Sequence, residues 1–192
     1  MADIIQTYSI DDAKFYPMTS VGPPPVYSDG IDIGCVNEVT LEESLTEAQA
    51  RGDDAICVRV TRIAELTGTV KSTGLNMELT AAMRGMLLAA FTVGAADGRR
   101  LSRRSTDSIV RGAIIARAVK ADGTGDLHLV IPNVQIKKGP NANFSDEAFF
   151  LSELEWVGDK TLYSPNVDWY YFIEHEDAVT TIPTVWPGTA NY

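Results

Sequence analysis

The sequence predicts a mainly β protein with one helix, and three observations carry that reading. Residues 109–136 read as a β-hairpin. Ile109–Val119 is rich in Ile, Val and Ala, Leu127–Ile136 returns as its partner, and Ala-Asp-Gly-Thr-Gly-Asp at 121–126 supplies the tight reversal. Ala55–Thr73 alternates for 19 residues, with Ile56, Val58, Val60, Ala64, Leu66 and Val70 on one face. Leu79, Met83, Met86, Leu87, Ala90 and Phe91 instead fall on one helical stripe.

Taken in order, Ala13–Pro17 is a short strand-like piece with aromatic anchors, and the prolines of 21–26 make an extended connector. Ile31–Glu42 alternates as a strand, with Ile31, Ile33, Cys35, Val39 and Leu41 on one face. Glu43–Asp54 is polar and reads as a long flexible loop. The 19-residue strand that follows is beyond ordinary strand length, so it bends or projects from the domain, with Arg62 and Gly68 as candidate bend points. The helix starts at an Asn76 N-cap with Glu78 in its first turn and stops at Gly94. Gly98–Arg104 is a loop with four arginines in six residues. Gly139-Pro140 breaks the sheet. Glu147–Val157 then alternates again, with Phe150, Leu154 and Trp156 opposite Glu147, Glu153 and Glu155. From Tyr163 onward the chain is aromatic and proline-rich. Trp169, Tyr170, Tyr171 and Phe172 are too apolar to leave wet, so an arm packing on its own domain or on a neighbour is expected. Residues 1–162 thus form one domain and 163–192 an extended C-terminal arm.

Charge is polarised along the chain. Residues 1–98 carry 6 basic and 14 acidic groups, 99–141 carry 9 and 3, and 142–192 carry 1 and 9, for a net charge of −10. A chain this acidic does not bind DNA by neutralising phosphates, but its opposite blocks can meet in register between copies. No apolar run approaches the ~20 residues of a membrane span, and the first residues lack signal-peptide character, so cytoplasmic synthesis and no membrane partner are expected. Cys35 and Cys57 are expected to be free, buried thiols.

Nothing points to catalysis. No phosphate loop or nucleophile elbow is present, and no nucleophile–base pair can be argued. Glu174-His175-Glu176-Asp177 cannot all face inward from an extended segment, and His128 reads as a satisfied sheet histidine. No catalytic residue, metal site or cofactor is expected.

The order of elements resembles the major tail tube proteins of long-tailed bacteriophages. The stretches that carry it are Leu127–Ile136 with its "IPNV", Asn143–Phe149, and Leu154-Glu-Trp-Val157. The resemblance covers residues 31–158 and extends to contractile-tail and secretion-system inner tubes. The arginine-rich segment and the aromatic arm depart from it. It implies a β-sandwich of two packed antiparallel sheets with a flanking helix. It also implies hexameric rings stacked into a hollow virion tail tube through which DNA passes without specific binding. Implied partners are further copies of the chain and the tape measure, tail-tip and tail-terminator proteins. On that basis Asp32, Glu38, Glu42, Glu65, Glu153 and Glu155 are candidates for an acidic lumen face that repels phosphates. Glu47, Arg51, Asp53 and Asp54 are candidates for ring stacking, and Arg99, Arg100, Arg103 and Arg104 for an inter-subunit basic patch. The alternative is a virion module that does not polymerise, such as a tail terminator or decoration protein.

Overall fold

In chain order the elements are β1 (Thr7–Ser20), β2 (Val26–Tyr27), β3 (Ile31–Asp32), β4 (Val36–Val39), β5 (Glu42–Gly52), β6 (Ala55–Thr73), α1 (Met77–Arg84), β7 (Leu87–Val93), β8 (Ala96–Ser102), β9 (Arg111–Lys120), β10 (Asp126–Lys138), β11 (Leu151–Gly158) and β12 (Tyr171–His175). The computed structural model describes residues 7–22, 24–52, 55–74, 76–138, 151–160 and 169–187. Parts of the loop before β11, including Glu147 and Phe150, lie outside the described residues, as do Asp53 and Asp54.

The expected two-sheet sandwich is replaced by one ten-stranded antiparallel sheet and a separate two-stranded hairpin, β7–β8. Long strands shared between partners keep the large sheet continuous. β10 pairs along one edge with β9, while its other edge takes β12 over residues 126–130 and β11 over 134–138. A register shift between Ile131 and Val134 separates the two halves. The sheet curls until Ile33 N–H reaches the Ala13 carbonyl at 2.9 Å. Its concave side holds Phe15, Ile33, Leu66, Val70, Ile114, Ile131, Leu154 and Trp156, joined by Leu79 and Met83 of α1.

β9 is buried on both faces, which suits its unbroken run of Ala and Ile. Behind it Tyr16, Ala113, Ile115 and Val130 form a second cluster, closed by Ile182 from the C-terminal segment. That segment is strapped down by Lys14 to the Ile182 carbonyl at 2.9 Å, by Tyr16 to the Pro183 carbonyl, and by Trp186 against Tyr16 and Tyr27.

β6 has its expected length, and its two halves differ. Residues 66–73 lie within the sheet between β11 and β4, whereas residues 55–65 pair only with β5 among the described residues. Gly68 faces Trp156 and the Thr40 carbonyl so closely that a Cβ there would overlap both, which explains the glycine by close packing.

Five local expectations are corrected. Glu43–Asp54 is no flexible loop. Residues 43–52 belong to β5, which pairs along one edge with β6, and Asp53 and Asp54 lie outside the described residues. Ile31–Glu42 is divided into β3 and β4, because Gly34 and Cys35 both adopt positive φ and the Asp32 carboxylate accepts the Gly34 N–H at 2.9 Å. Cys35 consequently lies exposed at a turn rather than buried in a strand. The side chain of Cys57 lies outside the described residues. The helix begins as expected, with the Asn76 side chain accepting from Glu78 and Leu79 N–H at 3.0 and 3.1 Å. It ends at Gly85, whose left-handed conformation lets its N–H cap the Ala81 carbonyl, and not at Gly94. Gly94 instead takes positive φ in the two-residue turn between β7 and β8, which places Arg99 and Arg100 on a strand rather than in a loop.

Candidate functional site

Two exposed hairpins are the features of the surface that the fold itself does not need. In the first, the outer part of β5–β6 runs about 33 Å beyond its last neighbours, at about 3.3 Å per residue. Its two faces are both open to solvent. Leu45 opposite Ile63 lies on one face and Ala48 opposite Val60 on the other, with Leu45 55% and Val60 41% exposed. Glu47 lies 4.0 Å from Arg59 on this arm. The side chain of Arg51 lies outside the described residues, as do Asp53 and Asp54.

The second hairpin has two unlike faces. Strand alternation puts Leu87, Phe91 and Val93 with Arg100 on one face, and the three apolar residues are 43%, 45% and 67% exposed. The opposite face carries Arg99, which reaches Glu78 of α1 at 2.9 Å. The sequence places Leu87, Ala90 and Phe91 on one helical stripe. Gly85 ends the helix before them, and Leu87 and Phe91 become part of an apolar stripe on the surface.

The four arginines are therefore not one patch. Arg99 and Arg100 point to opposite sides of β8. Arg103 and Arg104 follow it in an exposed turn, held by Arg104 N–H to the Asp107 carboxylate at 2.6 Å. Arg103 lies near Arg84. Burial, and then the Arg103 charge, lower the pKa of Arg84, and its Nη1 has no hydrogen-bond partner among the described residues. This corner carries excess positive charge.

The polar face of the sheet brings Glu38, Glu153 and Glu155 together. Glu38 and Glu153 flank Lys71 from β4 and β11, and Glu155 lies beside them on β11. Lysines compensate much of this charge. Lys71 meets Glu38 at 2.6 Å, Lys138 meets Glu155 at 2.8 Å, and Lys137 meets Glu65 at 3.6 Å. Hydrogen bonding to Glu38 and Glu155, followed by their charges, raises the pKa of Lys71 and Lys138. Asp32 is not part of this face but closes the turn at Gly34, and Glu42 starts β5 opposite Thr67.

The cryo-EM structure of the anti-feeding prophage cap, described as a tube terminating cap, is similar over 91% of this chain and 100% of that one, with a TM-score of 0.47 and 9% sequence identity. No protein-family model and no curated protein sequence matches.

One constellation escaped the sequence reading altogether. Asp126 and His128 share a face of β10, and β12 sets His175 directly opposite Asp126. Asp126 and His128 are fully buried. The Asp126 carboxylate accepts the Thr180 N–H at 2.6 Å and lies 2.6 Å from His175 Nδ1 and 3.3 Å from His128 Nε2. Burial alone would raise the Asp126 pKa. The Thr180 amide and the two imidazoles outweigh it and hold the group below its ordinary value. Burial pushes His128 down despite its carboxylate neighbour. The Asp-x-His spacing was visible in the sequence, but the strand pairing that adds His175 was not.

Proposed function

We propose that this protein is a structural, ring-forming component of a phage-tail-like tube, placed at a tube end as a terminating subunit that does not polymerise. The role is one of assembly and not of catalysis. The observation that carries it is the pair of projecting hairpins, above all the exposed Leu87-Phe91-Val93 stripe beside Arg100. An isolated monomer gains nothing by exposing such a stripe, whereas a second copy can cover it. In a ring each contact joins two different surfaces, and the chain's segregated charge suits that geometry: the Arg84–Arg103 corner needs acids, and residues 142–192 carry 9 acidic groups against 1 basic.

The terminal position is favoured over the repeating one by the polar face of the sheet. Glu38, Glu65 and Glu155 each have a lysine within ion-pair distance, so that face lacks the uncompensated negative charge that a DNA-repelling lumen wall requires. A repeating tube subunit is the second reading, supported by the sequence resemblance.

Negative-stain electron microscopy across a protein concentration series tests both. Discrete rings that do not lengthen with concentration are the expected result. Hollow filaments that grow would replace the terminal role with the repeating one. Monomers at every concentration, alone and with preformed tubes, would overturn the assembly reading.

A further inference from the structure

We propose that Asp126, His128, His175 and Thr180 form a binding site for a zinc-class divalent cation, which clamps the C-terminal segment onto β10. The three titratable members place their ligand atoms within 4.8 Å of one another. The site is built from both sides of one seam. Asp126 and His128 come from the sheet, whereas His175 and Thr180 come from the segment that crosses it.

Four of the six ligand-to-ligand distances approach those of a four-coordinate ion. A tetrahedral zinc with bonds of about 2.0–2.1 Å needs its ligand atoms about 3.3–3.4 Å apart. Asp126 Oδ2 to His128 Nε2 is 3.3 Å, and Thr180 Oγ1 lies 3.3 Å from His128 Nε2, 3.1 Å from His175 Nδ1 and 3.2 Å from Asp126 Oδ2. The carboxylate's other oxygen, Asp126 Oδ1, lies 2.6 Å from His175 Nδ1, a hydrogen bond that loading would replace, and the three titratable ligand atoms, which lie within 4.8 Å of one another, would draw together around the ion. His175 is the member that can move, because its side chain is 31% exposed and opens the site to solvent.

Two imidazoles and one carboxylate favour zinc or a similar first-row ion over calcium or magnesium. The adverse charge is Arg117, whose guanidinium pairs with Asp11 and donates to the Thr180 carbonyl at 2.6 Å, while its Nε has no partner among the described residues. The carbonyl contact holds Thr180 in place.

The full-length protein, stripped with a chelator and dialysed against zinc chloride, tests the site. About one zinc per chain is expected, with a higher melting temperature. His175→Ala should weaken zinc binding more than about 100-fold, since loss of even an indirect partner of a metal ligand costs about 10–100-fold. Cobalt substitution of the unaltered protein is the second measurement and does not depend on a variant folding; it should give the intense visible bands of a four-coordinate ion. Absence of stoichiometric zinc, zinc retained at full affinity in a folded His175→Ala protein, or a six-coordinate cobalt spectrum would each overturn the site and leave a hydrogen-bonded seam.

Discussion

The β1–β9–β10 slab and the β5–β6 and β7–β8 hairpins are built from the same antiparallel pairing, yet they differ in what covers them. In the slab, Ile114 faces the concave core and Ile115 the C-terminal segment, and both are fully buried. On the hairpins, Leu45, Val60, Phe91 and Val93 occupy equivalent apolar positions with nothing over them among the described residues. β9 and β10 are hydrogen-bonded along both edges, whereas β5, β7 and β8 are paired along one edge only among the described residues, so edge pairing and side-chain burial together separate a stabilising strand from a presenting one. The slab holds the chain together, and the hairpins leave apolar side chains exposed.

Substitutions can break that contrast, and the largest effect belongs to the slab. Trp156→Ala removes a buried indole packed against Gly68 and should destabilise the fold by about 3–5 kcal/mol in denaturant titration. Ile182→Ala, which empties the plug of the outer cluster, should cost about 2–5 kcal/mol. It should also loosen the C-terminal segment, read as faster amide exchange at residues 171–186. Gly68→Ala should cost about 1–3 kcal/mol through overpacking against the indole and the Thr40 carbonyl. A cost below 0.5 kcal/mol would show that the strand shifts to make room.

The hairpins should behave in the opposite way. Phe91→Ser should change monomer stability by no more than about 0.5 kcal/mol, yet reduce self-association in sedimentation. Arg99→Ala breaks an exposed ion pair with Glu78 and should cost about 0–1 kcal/mol, less at high salt, with no effect on self-association. A larger loss would mean that the β7–β8 hairpin is anchored to α1 mainly by that pair.

Legibility in the sequence follows the same division. The hairpin around Asp122–Gly123, the long β6 and the Asn76 cap could all be read, because local turn chemistry and period specify them. The end of the helix was misplaced because Leu87, Ala90 and Phe91 satisfy a helical period and a strand alternation at once, and only the left-handed Gly85 decides between them. β5 was hidden because Glu42–Gly52 is nearly all polar, and β6 alone makes it a strand. Two packed sheets were expected where one large sheet and a separate two-stranded hairpin exist, since no local signal tells how a 13-residue strand divides its edge between β11 and β12. The Asp126–His175 cluster was illegible for the same reason.

The central claim is that the exposed β7–β8 stripe is covered by another copy of the chain. Sedimentation velocity of the unaltered protein beside Phe91→Asp, over a matched concentration series, tests it most directly. The account predicts a discrete oligomer for the former and monomer for the latter, with both folded by circular dichroism. The same oligomer in both proteins would contradict it.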